Sequence, residues 1–155
     1  MAFEAAFINP FTIGAVEVFR SQCDMKVSIR SSQEMPVQEF AVGDIRGVIA
    51  VNAGAFRGMM FVEFPNPTFS KIVARMFEGT EHPPVSEIQD GVGEFANMIL
   101  GYAKRELNAL GYQIAMARPT VYSGESRQLE TIKSRYRVSF DSEAGPFSID
   151  LCEVA

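Results

Sequence analysis

Asp90-Gly91-Val92-Gly93-Glu94-Phe95-Ala96-Asn97-Met98-Ile99-Leu100-Gly101 reads as the opening of a helix with two unlike faces. At about 100° per residue, Val92, Phe95, Ala96, Ile99, Ala103, Leu107 and Leu110 fall on one apolar stripe. That stripe is the expected core face. Asp90, Glu94, Asn97, Gly101, Lys104 and Asn108 fall on the opposite side, which makes Glu94 and Asn97 neighbours one turn apart on a water-facing surface. A carboxylate and a carboxamide held side by side on a rigid helix can grip a cation with one and orient a water with the other. A solvated polar face is also the ordinary outside of an amphipathic helix. Gly101 departs from that ordinary surface, because glycine in the middle of an exposed helix face costs about 1 kcal/mol relative to alanine. Close approach of a partner to the backbone beside Glu94 and Asn97 explains the choice. Gly91 and Gly93 lie in or near the first turn, where fraying makes them less informative.

Outward from this helix, the chain shows one order of elements twice. Asn9-Pro10 reads as an N-cap followed by proline at the first helical position, opening a helix through Phe11, Ala15, Val18 and Phe19. A short strand is expected near Met25 to Arg30. Longer strands follow near Phe40 to Val51 and Gly58 to Phe64, joined by the glycine-rich turn Gly54-Ala-Phe-Arg-Gly58. A helix from Thr68 to Phe77 starts after the Asn66-Pro67 breaker and ends at Gly79. In the second half, Ser86 and Gln89 have capping-box spacing, and the long helix runs to about Leu110 before Gly111 as C-cap. Tyr112 to Arg118 alternates as a strand and meets Pro119. Strands near Ile132 to Phe140 and Phe147 to Val154 flank the turn Ser142-Glu-Ala-Gly-Pro146.

Helix, short strand and hairpin thus recur over about 8–79 and 86–155. The expectation is one α+β domain over residues 1–155, a duplicated helix-plus-three-strand unit. Its six-stranded, largely antiparallel sheet packs with two long helices and a shorter one. The C-terminal strand offers an edge for sheet extension.

Composition narrows the function classes. Of 155 residues, 47% are hydrophobic and 21% charged, the balance of an ordinary globular protein. The net charge of −5, with no run of lysines or arginines, argues against a nucleic-acid or anionic-membrane surface. No stretch approaches a membrane span, and the N-terminus lacks the pattern of a secretion signal, so a cytoplasmic location is expected. Cys23 and Cys152 have no CxxC spacing and read as buried free thiols. His82 is the lone histidine, in the loop-like Thr80-Glu-His-Pro-Pro84, which leaves no metal site and no Ser-His or Cys-His pair. Phosphate-binding glycine motifs are absent.

These residues also carry a likeness. Ile8-Asn9-Pro10-Phe11, Gly43-Asp-Ile-Arg-Gly47-Val-Ile, Asp90-x-x-x-Glu94-x-x-Asn97 and Pro119-Thr-Val-Tyr-Ser-Gly124 occur in order over nearly the whole chain. In this they resemble the CheX branch of the CheC/CheX/FliY family of bacterial chemotaxis phosphatases. The resemblance implies removal of phosphate from a phosphorylated CheY-like response regulator, with Glu94 and Asn97 as the active-site pair and a homodimer as the assembly. The first helix reads Glu17-Val-Phe-Arg20, with no asparagine three residues after the glutamate, which implies one site and a packing role for that helix.

The implied chemistry is physically simple. An aspartyl phosphate is already activated, and its hydrolysis needs a water held in line with the leaving oxygen. Asn97 would place that water, and Glu94 would pair with a lysine beside the partner's phosphoaspartate. The Mg2+ would belong to the regulator, so no cofactor or metal of the chain's own is required. Asp90 reads either as favourable charge at the helix N-terminus or as a further partner contact, and Gly101 as the point of close approach. Pro119 is expected to end a strand under the active helix, and Phe56 and Arg57 to serve turn and core. The competing class is a non-catalytic module that binds a response regulator or flagellar-switch component. A small-molecule sensor has no polar cluster within the apolar pattern to support it.

Overall fold

A computed structural model of the chain describes residues 3–37, 44–77, 85–115, 117–123 and 132–155. The expected start of a strand at Phe40, the helix end at Gly79, the segment around His82, and Gly43 and Gly124 lie outside the described residues. The elements run α1 (Ala5–Cys23), β1 (Val27–Met35), β2 (Ile45–Ala53), β3 (Phe56–Phe64), α2 (Asn66–Met76), α3 (Val85–Ala109), β4 (Thr120–Ser123), β5 (Ile132–Ser142) and β6 (Gly145–Val154). The strands form one six-stranded sheet in the order β1-β5-β6-β3-β2-β4. Every neighbouring pair is antiparallel. This is the expected α+β architecture. Exchanging β1 with β4, β2 with β5 and β3 with β6 reverses the order onto itself, so each short strand pairs with the hairpin of the other half.

Alternation along the strands sends one side chain in two toward the helices. Ile45, Ile49 and Val51 of β2, Met60, Val62 and Phe64 of β3, and Phe147, Ile149 and Leu151 of β6 join Phe7, Phe11, Phe19, Phe95 and Ile99 in the main core. Phe19 of α1 stacks on Phe95 of α3, with ring centroids 4.9 Å apart and planes 20° apart. The first helix is therefore a packed partner of α3. Among the described residues, no helix is long and apolar enough to cross a membrane.

Several expectations need correction. Helix α1 begins at Ala5 and carries Pro10 inside it, not at its first position. Phe7 is fully buried, with its ring centroid 4.8 Å from that of Phe56 and 5.5 Å from that of Tyr112. That burial carries the helix back past a proline whose lost hydrogen bond would otherwise end it. Asn66-Pro67 likewise lies within α2, where a missing N–H in the first turn leaves no bond unmade, and Asp44 Oδ2 accepts from the Asn66 N–H at 2.8 Å. Ser86 falls inside α3 and so is not its cap. Strand β1 runs on to Met35, through a bulge between Ile29 and Ser31, because its pairing with β5 continues to Arg135.

Among the described residues of Tyr112 to Arg118 there is no strand beyond one bridge between Ile114 and Ala53. Left-handed backbone at Gly111 (φ 93) and Gln113 (φ 55) breaks the extended path, so Pro119 precedes β4 and ends nothing. Leu110 is 62% exposed although the helical count places it in the core. The helix has already closed at Ala109: the Tyr112 N–H reaches back to Leu107 O and the Gly111 N–H to Asn108 O, a Schellman turn that rotates Leu110 off the stripe. The C-terminal strand β6 lies between β5 and β3, so it offers no edge; among the described strands the edges are β1 and β4.

Candidate functional site

Helix α3 is held by three close approaches, each at a glycine. A Cβ on Gly47 of β2 would lie 3.0 Å from Val92 O, and one on Gly93 would lie 3.2 Å from Val121 Cγ2 and 3.4 Å from Pro119 Cγ. On the other flank, a Cβ on Gly14 of α1 would lie 3.1 Å from Tyr102 Cδ1 and 3.3 Å from Ile99 O. The sheet, at β2 and at β4 with the Pro119 that precedes it, and α1 on the other flank therefore wedge α3 between them. Gly93, which sequence position alone makes uninformative, is a packing residue, and Pro119 is one of the groups it admits.

Val92, Phe95, Ala96, Ile99, Ala103 and Leu107 are all buried as the stripe requires. Asp90, Glu94, Asn97, Gly101 and Asn108 are exposed, and Lys104 is half-buried. Glu94 and Asn97 thus stand one turn apart on the outer face of a helix whose inner face cannot rotate. No side-chain hydrogen bond or ion pair joins Asp90, Glu94 or Asn97 to any other described residue. Gly101 meets nothing within 4 Å of an added Cβ, so no packing among the described residues asks for glycine there.

On α1, Glu17 accepts from Arg20 at 2.6 Å, and each side chain is thereby held in its charged form. That pair occupies the place on α1 where a second Glu-x-x-Asn would be sought. Both cysteines are buried free thiols; burial pushes Cys23 up to about 11, and Cys152 further up still.

The opposite face of the sheet holds a cluster that sequence reading missed. Arg137 donates to both carboxylate oxygens of Asp150 at 2.7 and 2.9 Å, and Arg135 Nε lies 3.2 Å from the same carboxylate. Arg46 Nε lies 3.1 Å from Glu63 Oε1, and Arg137 Nη2 lies 3.6 Å from Glu63 Oε2. Burial, then Asp150, push the Glu63 carboxyl up to about 7 against the pull of the three arginines. Alternating Arg135-Tyr-Arg137 in β5 was the available signal, but charges on a strand ordinarily mark a solvated face.

A sequence model of the family described as chemotaxis phosphatase CheX matches residues 45–143, from β2 through α3 into β5. The chain belongs to the CheX family. Over 79 residues it is 29% identical to the CheY-P phosphatase CheX of Thermotoga maritima, a match covering 50% of this chain and 51% of that protein. The match thus spans about half the length of the curated relative. The crystal structure of chemotaxis protein CheX from Vibrio vulnificus superposes with a TM-score of 0.82 at 29% identity, over 96% of this chain and 99% of that one. The CheX-CheY-BeF3-Mg2+ complex of Borrelia burgdorferi contains the same fold, with a TM-score of 0.67 at 18% identity over 96% and 98% of the two chains. In this CheX-family chain, the matched segment contains the whole of the Asp90-to-Gly101 face.

Proposed function

We propose that this chain is an aspartyl-phosphate phosphatase for a phosphorylated response regulator of CheY type. The observation that carries the reading is the Glu94/Asn97 pair, exposed on a wedged helix and engaged by nothing else in the described chain. The two side chains are seated on a helix packed from both flanks and make no side-chain hydrogen bond or ion pair among the described residues.

The Asn97 amide accepts from and donates to one water and sets it in line over the phosphorus of the partner's phosphoaspartate. An amide is no strong base, and a loose phosphoryl-transfer transition state needs little deprotonation of the nucleophile. The contribution is positioning, which converts a free water into a near-attack one. Glu94 receives the lysine beside the phosphoaspartate and fixes the register of the inserted helix. Mg2+ comes with the regulator. The Borrelia complex, in which a CheX of the same fold sits on CheY with BeF3 and Mg2+, supports that division of labour. Gly101 lets the two backbones pass, and Asp90 adds charge at the rim of the contact.

The test is phosphate release from phosphorylated CheY-type regulators with this protein at catalytic amounts. Many turnovers per molecule are expected. Stoichiometric binding without acceleration would transfer the site to a sequestering module.

A further inference from the structure

We propose that the apolar groove between α2 and α3 is a recognition subsite for the response regulator, receiving a large apolar side chain presented beside the lysine that Glu94 pairs. The proposal rests on the phosphatase reading of the Glu94 face and adds the feature by which that face chooses its partner.

The groove is a cavity of about 340 Å³ walled by Met76 and Phe77 from the α2 side and by Ile88, Gly91, Glu94 and Met98 of α3. Among the described residues, Glu94 is the one charged residue of its walls, and Gln22 of α1 the one other polar side chain. The carboxylate assigned to docking is therefore also the rim of an apolar slot. A partner group that satisfies both must be cationic at one point and apolar immediately beside it.

Two features keep the slot open. Gly91 stands one turn before Glu94 on the same side of α3, and a Cβ there would meet nothing within 4 Å. Any longer side chain at this position would lie over the mouth. Met76 is 44% exposed at the lip, where a flexible thioether side chain can adapt to an incoming apolar group. A second copy of this chain is a poor occupant, since it would bring another surface of a molecule with net charge −5 to an acidic rim.

The experiment uses the full chain and the CheY-type regulator of the same organism that the wild type binds most tightly, loaded with BeF3− and Mg2+ for calorimetry and phosphorylated for turnover. Gly91→Leu fills the slot and Met76→Ala truncates its lip, while Ile13→Ser alters an apolar side chain on α1 that is 49% exposed and outside the groove. Excluding one apolar side chain from a desolvated pocket should raise Kd and KM about tenfold in Gly91→Leu, and less in Met76→Ala, with kcat within about twofold and Ile13→Ser unchanged. Gly91→Leu with wild-type Kd and KM, or with a loss confined to kcat, overturns the groove and leaves the phosphatase reading standing. Groove-dependent binding without turnover by the wild type does the reverse. A wild type that neither binds nor turns over any regulator overturns both.

Discussion

Gly47 of β2 and Val92 of α3 meet at a distance that excludes any other residue at 47 without movement: an added Cβ would sit 3.0 Å from Val92 O and 3.1 Å from its Cγ1. The contact lies two residues before Glu94, so it sets the height of the Glu94/Asn97 face above the sheet. Because the obstacle includes backbone, the strain of a methyl group must be taken up by lifting the helix.

Gly47→Ala is therefore expected to cost about 1–3 kcal/mol by overpacking, despite the gain in strand propensity that alanine ordinarily brings over glycine. Turnover should fall further than stability alone explains, since small displacements of positioned groups are costly in catalysis. Thermal melting and phosphate release measured on the same preparation check both. A variant with unchanged melting and unchanged turnover would show that α3 is not seated by this contact.

Asn97 and Glu94 should separate cleanly. If Asn97 positions the water as proposed, Asn97→Ala should abolish catalysed dephosphorylation while melting and partner affinity stay near wild type. Glu94→Ala removes a charge-assisted contact and should weaken docking by about 2–5 kcal/mol if the partner's lysine is desolvated on binding. Titration of a BeF3−-loaded regulator against both variants distinguishes them. Equal affinity for Glu94→Ala and wild type would end the docking role, and normal turnover by Asn97→Ala the water-positioning one.

Much of this architecture was legible from local rules. The period-3.6 stripe through Val92, Phe95, Ile99, Ala103 and Leu107 predicts the buried face of α3, and the polar residues between them its exposed one. Gly54, with φ 61, makes the turn expected between two alternating runs. Most of the failures come from tertiary contacts that overrode local signals, and those after Ala109 from the local geometry that closes α3. Phe7 in the aromatic core extends α1 backward through Pro10. A helix-closing turn expels Leu110, and β6 finds partners on both sides instead of one. Gly93 looks like a frayed first-turn glycine until Pro119 and Val121, nearly thirty residues on, are seen against it. The Arg46-Glu63-Arg137-Asp150 cluster draws on four strands, and no window of sequence contains it.

That cluster has a pH consequence. The folded value for Glu63, about 7, lies above its ordinary 4.5, with burial as the main cause and Asp150 the second. The protonated carboxyl is thus the form the fold favours. Its contribution is complete below about 4.5 and is lost as the pH rises through about 7. Wild type should lose stability between pH 5 and pH 8 by an amount of up to about 3 kcal/mol. Glu63→Gln, which copies the neutral form, should lose less over the same range. Urea midpoints for both proteins at the two pH values check this, and parallel declines would show that Glu63 is already ionised at the lower one.

Gly101 supplies the sharpest test of how the proposed docking face of α3 is used. It is exposed, a Cβ there meets nothing within 4 Å, and glycine in such a place lowers helix stability by about 1 kcal/mol relative to alanine. No described residue repays that loss by packing against the glycine, which is what close approach of a partner, as proposed, would explain. Gly101→Ala should stabilise α3 slightly. Gly101→Leu should fold normally, with melting at or above wild type, yet lose both regulator binding and phosphatase activity, because a leucine one turn beyond Asn97 holds the two backbones apart. Calorimetry against the BeF3−-loaded regulator and a phosphate-release assay report the two losses separately. If Gly101→Leu binds and turns over as wild type does, helix α3 does not insert into the regulator along this face.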